Sequence, residues 1–215
     1  MWWEVVCMCI VAYLLGSVPS AYLVGKWFRG VDIREHGSGS VGGSNAWHVI
    51  GHWSVVPVGL FDVAKAAGPV WVTFDTLDLG RAAAFAVGLC AMAGHAWSLY
   101  LHFTGGRALS CALGTLLVLF PQGLVLQASL MIVGLLIHAE GLLAWLGLIM
   151  LPVMSVASAQ PAATTWGCVA MALLTALKRL EANGRPVPEG QERWRVLARR
   201  LWFDRDTAGR RQWGT

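Results

Sequence analysis

The chain has 215 residues, of which 56% are hydrophobic and only 13% charged, with a formal net charge of +4 at pH 7. Soluble domains average about 25% charged residues, so this composition excludes an ordinary water-soluble domain and indicates a membrane protein. The basic excess is juxtamembrane and no nucleic-acid fold pattern is present, which argues against a nucleic-acid partner.

Apolar runs predict seven helices, over about 4–25, 53–74, 80–101, 108–121, 123–138, 141–157 and 161–177. The predicted fold is all-α and polytopic, with a transmembrane region over 1–180 and a basic cytoplasmic tail over 181–215. Met1-Trp2-Trp3-Glu4 lacks the basic start of a signal peptide, so the first run is expected to be a permanent span. The fourth and fifth runs are short for a bilayer, which needs about 20 residues. Pro121-Gln122-Gly123 therefore permits a single bent element there, which would reduce the spans to six.

Charge favours seven. Lys26, Arg29 and Arg34 follow the first run, Arg107 lies between the third and fourth, and ten of the sixteen Lys and Arg lie from Lys178 onward. The connection Asp75–Arg81 carries one Arg beside two Asp. The positive-inside rule then places 26–52, 102–107 and 178–215 in the cytoplasm and the N-terminus outside, which requires an odd number of spans. Twelve Trp and three Tyr suit interfacial belts, with ordinary packing as the alternative. Cys7, Cys9, Cys90, Cys111 and Cys168 lie in apolar runs and read as buried thiols. In the tail, Trp194, Leu197, Ala198 and Leu201 recur at helical spacing beside Arg195, Arg199 and Arg200. That pattern fits either an interfacial helix against anionic headgroups or a solvated tail.

Four polar constellations remain. The stretch Gly37–His48 holds four glycines and three serines. Clustered backbone N–H groups of a glycine-rich loop cradle phosphate, and Ser38, Ser40, Ser44 and Asn45 add hydroxyls and an amide. Gly37, Gly39 and Gly42 supply the backbone, and His48 adds a proton-dependent charge. The alternative for such a loop is tight packing. Gly94-His95 is followed by Phe103-Thr104-Gly105-Gly106-Arg107, where Gly105 and Gly106 expose N–H groups and Arg107 can fork onto phosphate oxygens. By the topology above, both elements lie at one membrane face. Asp62 and Lys65 share a face inside the second run and read as a structural ion pair ahead of a catalytic one. Lys178-Arg179 ends the last run, where cations complement the helix terminus and hold topology.

No Gly-x-Ser-x-Gly elbow, no His-Glu-x-x-His and no His followed five residues later by Asp is present. No metal ligand set and no cofactor are indicated. Chemistry here rests on positioning and charge stabilisation. A transporter is the reading from another class, but its polar groups would lie near the bilayer midplane rather than at one face.

Tyr13–Lys26, Asp32–Asn45, Asp62–Val70, and Gly94-His95 with Phe103–Arg107 together resemble, in order, the PlsY-type bacterial glycerol-3-phosphate acyltransferases. The match is dense over residues 11–110. It implies a seven-span enzyme of the bacterial inner membrane with its site toward the cytoplasm, using no cofactor. It further implies acyl transfer from acyl phosphate to the 1-hydroxyl of glycerol 3-phosphate, giving lysophosphatidate and phosphate in phospholipid synthesis. Acyl-CoA and acyl carrier protein are not the usual direct donors. Membrane lipids are the surroundings and the product's destination. On this resemblance Ser38, His48 and Arg107 are the expected catalytic residues. Gly37, Gly39, Ser40, Gly42, Ser44, Asn45, His95, Gly105 and Gly106 are the expected substrate-binding ones. Ser40 replaces a family Asn, His48 a basic residue, and Thr104 and Arg107 two lysines. Leu173 and Ala176 stand where the family's His-x-x-Asn would fall. These replacements leave open a paralogue that binds phosphorylated lipid or glycerol phosphate without turnover.

Overall fold

The computed structural model describes residues 2–37 and 39–206. The described residues are helical and irregular, with no strand. Ten α-helices follow in order: α1 Trp2–Ser17, α2 Ser20–Arg29, α3 Gly43–Val49, α4 Val55–Trp71, α5 Arg81–Ala96, α6 Leu109–Leu119, α7 Pro121–Leu136, α8 Glu140–Ala157, α9 Ala162–Glu181 and α10 Arg193–Phe203. The seven predicted runs correspond to α1–α2, α4, α5, α6, α7, α8 and α9.

Among the described residues, four stretches are long and apolar enough to cross a bilayer: Trp2–Arg29, His52–Thr76, Arg81–Leu101 and Glu140–Ala157. Large apolar side chains point outward from the bundle, among them Val125, Leu136, Val153, Trp166 and Leu173, as expected of a lipid-facing surface. Lipid is as apolar as leucine, so helices in it are held by close packing instead of by the hydrophobic effect. Small residues supply that closeness. An ideal β-carbon on Gly94 would lie 2.1 Å from the Tyr13 carbonyl oxygen, and one on Gly16 would lie 2.2 Å from that of Ala91. These glycines bring α1 and α5 together backbone to backbone. Gly114 does the same for α6 against Val63 of α4.

Three predictions are refined. The first run is one stretch in sequence but two helices, because Pro19 lacks an N–H and the chain turns at Ser17–Ser20. The Pro121 region is not a bend in one element. Phe120 leaves helical geometry (φ −153°, ψ 74°) and Pro121 opens a new helix at a position that needs no N–H. α6 ends beside Arg81, whose guanidinium donates to the Leu119 carbonyl at the start of α5. α7 then runs back along α8, with Gln127 donating to the Ala144 carbonyl and Gly134 against Glu140. Finally, the last run extends to Glu181, which places Lys178 and Arg179 inside the final turn of α9.

The ends of α5, α7 and α9 and the starts of α4, α6 and α8 thus meet at one end of the bundle. There α2, α3 and the segment before α3 close over a small core of Ala21, Ile33, Val41, Ala46, Ile50, Val58 and Leu101. The tail helix α10 packs on α8 and α9 at this same end.

Candidate active site

The Gly37–His48 stretch is only half a loop. Asp32 caps a short 3-10 turn over Ile33–Glu35, and residues from Gly43 onward form α3. Arg34 grips the Asp32 carboxylate with Nε at 3.0 Å and Nη2 at 2.6 Å, which holds that carboxyl below its usual range. Asn45, 3% exposed, turns inward. Its side-chain amide donates to the carbonyls of Ile33, His36 and Ser40 at 3.0–3.2 Å. Its carbonyl oxygen fills the space where Gly37 (φ +58°) would carry a β-carbon. Asn45 therefore staples the loop from beneath, and its N–H groups are spent on the protein, where the sequence pointed to phosphate. Gly39 (φ +62°) is needed for its left-handed backbone and lies against the Arg185 guanidinium. Ser40, Gly42, Gly43, Ser44, Asn45 and His48 line a cavity of about 980 Å³. Ser38 lies outside the described residues.

The second glycine pair is a packing device. The Gly106 N–H donates to the His95 carbonyl at 3.1 Å. Gly105 exchanges two hydrogen bonds with the Asn183 side chain, at 3.2 and 3.1 Å. Both N–H groups predicted to hold phosphate are thus engaged within the protein. What the pair delivers instead is proximity. The loop clamps α5 to the end of α9 and carries Arg107 to the cavity, which His95 also lines.

Beneath the cavity is a buried ionic knot. Asp62 Oδ1 accepts from Ser20 Oγ and from Lys65 Nζ, both at 2.7 Å. Lys65 Nζ also reaches the Val18 carbonyl at 2.9 Å and His95 Nδ1 at 3.0 Å. An ammonium has three N–H donors and no acceptor, so all three are used and His95 Nδ1 is an acceptor. The imidazole proton then resides on Nε2, beside Gly106. The Asp62–Lys65 pair fastens the break between α1 and α2 to α4. It also fixes the tautomer of His95, a link between them that periodicity alone could not reveal.

The far wall comes from the C-terminal segment. Arg179 is fully buried, not a surface anchor. Its Nη1 and Nη2 donate at 2.8 Å to the carbonyls of Leu201 in α10 and Gly141 in α8, and its guanidinium lies over Trp145. Lys178 is equally buried, over the Trp97 ring and 2.8 Å from Glu181. Arg107 Nε donates to Asp204 Oδ1 at 2.6 Å. Arg179, Asp204, Arg205 and Asp206 line the cavity together with Arg107. His48 stands opposite, its Nε2 4.0 Å from Glu140. Sequence reading singled out Lys178-Arg179 as a helix-end constellation but missed Asp204 and Asp206 as site neighbours. The available signals were the acids Asp204 and Asp206 inside a basic tail, and Val196 and Arg200 one helical turn apart on the face that α10 buries.

The arrangement is a cavity with guanidinium and imidazole donors at the end of an apolar bundle, suited to anionic headgroups attached to lipid chains. A family model described as glycerol-3-phosphate acyltransferase matches residues 6–185. Glycerol-3-phosphate acyltransferase 5 of Dehalococcoides mccartyi (strain 195) is 32% identical over 212 residues, 96% of this chain and 91% of that protein. Glycerol-3-phosphate acyltransferase 2 of Rhizobium johnstonii is 41% identical over 127 residues, 51% of this chain and 58% of that protein. The fold resembles the crystal structure of PlsY (YgiH), an integral membrane glycerol 3-phosphate acyltransferase, in its glycerol 3-phosphate form. There the TM-score is 0.76 with 23% identity, over 85% of this chain and 91% of that one. Residues 6–185 and the nearly full-length match at 32% identity place this chain in the glycerol-3-phosphate acyltransferase family.

Proposed function

We propose that this chain transfers a fatty acyl group from acyl phosphate to the 1-hydroxyl of glycerol 3-phosphate, at the cytoplasmic face of a bacterial inner membrane. The observation that supports this most is the shared cavity. The Ser40–His48 segment, His95, Arg107 and Arg179 all border one space of about 980 Å³ at the end of a bundle with an apolar exterior.

In the reaction, the acceptor hydroxyl oxygen bonds to the acyl carbonyl carbon, the bond from that carbon to the phosphate oxygen breaks, and phosphate leaves. The departing phosphate takes the hydroxyl proton, so no protein base is needed. The protein's part is to hold two anions side by side and to stabilise the leaving charge. Ser38, Ser40 and Ser44 with the backbone of Gly42 would hold one phosphate, while Gly37 and Gly39, which do not line the cavity, shape the loop, the Gly39 N–H being spent on the His36 carbonyl. Arg107 would hold the other, with the His95 Nε2–H as a neutral donor and His48 assisting when protonated. Gly105, Gly106 and Asn45 act by holding this frame. Acyl chains would lie among the helices, within the membrane.

The test is product identity. Purified protein in detergent, given acyl phosphate and labelled glycerol 3-phosphate, should form labelled lysophosphatidate, and the same acyl chain supplied as acyl-CoA should not replace it. Saturable glycerol 3-phosphate binding with no product would contradict the proposal and indicate a binding paralogue.

A further inference from the structure

Arg107 is held by Asp204, a residue beyond position 185, where the match to the family model ends. Asp204 follows α10, and its place is fixed from several sides. Arg179 ties the Leu201 carbonyl to the bundle, and the Phe203 carbonyl lies so close to Gly141 that a β-carbon there would be 2.5 Å away. Arg200, 4% exposed, donates to the Arg185 and Pro186 carbonyls and to both Asp206 oxygens. Asp204 itself caps α10 in left-handed backbone (φ +54°), its N–H on the Arg200 carbonyl.

A guanidinium has five N–H groups. Arg107 gives Nε to Asp204 at 2.6 Å, and Nη1 makes a long 3.5 Å contact with the Lys178 carbonyl. Among the described residues, Nη2 has no partner. The Nη1–Nη2 edge can meet two phosphate oxygens at once, and Arg107 lines the cavity. A carboxylate on Nε sets the plane of the fork without occupying that edge. A carboxylate competing with phosphate would sit on the edge itself.

We propose that Asp204 is a positioning residue for acyl transfer: it orients the Arg107 guanidinium so that its Nη edge meets a substrate phosphate. This rests on the acyl-transfer reading above. It makes the docked tail helix part of the binding machinery.

The test is a KM-against-kcat comparison on the full-length protein, following phosphate release from acyl phosphate with glycerol 3-phosphate as acceptor. Asp204→Asn is the informative variant, because Asn tolerates left-handed backbone and keeps the side-chain shape while removing the charge. It should raise KM for one of the two phosphate-bearing substrates about ten-fold, the size of one lost charge-assisted hydrogen bond, with a smaller change in kcat. Asp204→Ala should raise the same KM further, and Arg107→Lys should affect that same substrate. Unchanged KM values in both Asp204 variants would overturn the inference. So would a lower KM, which would show that the carboxylate competes with substrate. A wild type lacking acceptor-dependent release would instead overturn the acyl-transfer reading itself.

Discussion

The His95 imidazole lies directly against Gly106: a β-carbon on that glycine would sit 2.2 Å from Nε2. Gly106 also donates its N–H to the His95 carbonyl. The second glycine pair therefore sets where the ring stands in the cavity. Gly106→Ala must displace the ring or open the loop, at a cost of about 1–3 kcal/mol for overpacking. Activity should fall by an order of magnitude or more while the protein still purifies as a folded species. Activity assays beside thermal unfolding in detergent check this, and an unperturbed Gly106→Ala enzyme would remove His95 from the site.

The knot of Asp62, Lys65, Ser20 and His95 predicts a strong asymmetry between single and double substitutions. Asp62→Asn leaves the Lys65 ammonium buried without its counter-charge, and breaking such a pair costs about 3–5 kcal/mol. Replacing both residues with apolar ones of similar size removes the stranded charge. Asp62→Leu with Lys65→Met should be more stable than Asp62→Asn, yet still impaired in activity, because His95 loses the donor that fixes its tautomer. Unfolding midpoints for the wild type and the two variants give the comparison.

Asn45 separates a structural role from a binding one. An aspartate has the same shape but cannot donate to the carbonyls of Ile33, His36 and Ser40. Asn45→Asp and Asn45→Ala should both lose about 1–3 kcal/mol, the cost of leaving buried carbonyls unsatisfied. A direct phosphate ligand would behave differently: Asn45→Ala would then weaken substrate binding without altering stability. Thermal unfolding and glycerol 3-phosphate titration of the same variants distinguish the two.

Asp32 gives a pH dependence with a definite sign. The Arg34 side-chain hydrogen bonds hold its carboxyl below the ordinary value of 3.8, against an opposing effect of burial. With the folded value depressed, its contribution is fully present above that ordinary value and is lost as pH falls through the folded one. Arg34 is about a third exposed, so the gain is below about 1 kcal/mol. At neutral pH the wild type should exceed Asp32→Asn in stability, and the gap should close on acidification below 3.8.

The bundle was legible in the sequence because membrane-length apolar runs carry their own length rule. Each of the seven runs has a helical counterpart, and the ambiguous Pro121 region is two helices. The glycine-rich segments were legible as important but not in their mechanics. Glycine content cannot say whether N–H groups face a ligand or the protein, and Gly105 and Gly106 spend theirs on Asn183 and His95. Arg179 read as a helix-end cation, since its burial depends on α10 folding back over it. Asp204 stood out only as an acid inside a basic tail: its meaning lies in a contact with Arg107, 97 residues away.

Acyl transfer to glycerol 3-phosphate is tested most directly by phosphate release from acyl phosphate, with and without the acceptor, for the wild type and Arg107→Ala. The wild type should release phosphate only when glycerol 3-phosphate is present. Arg107→Ala should fold normally and lose about a hundred-fold or more of that release, as expected for one donor to the developing charge. Release independent of the acceptor, or an Arg107→Ala enzyme with full activity, would contradict the account.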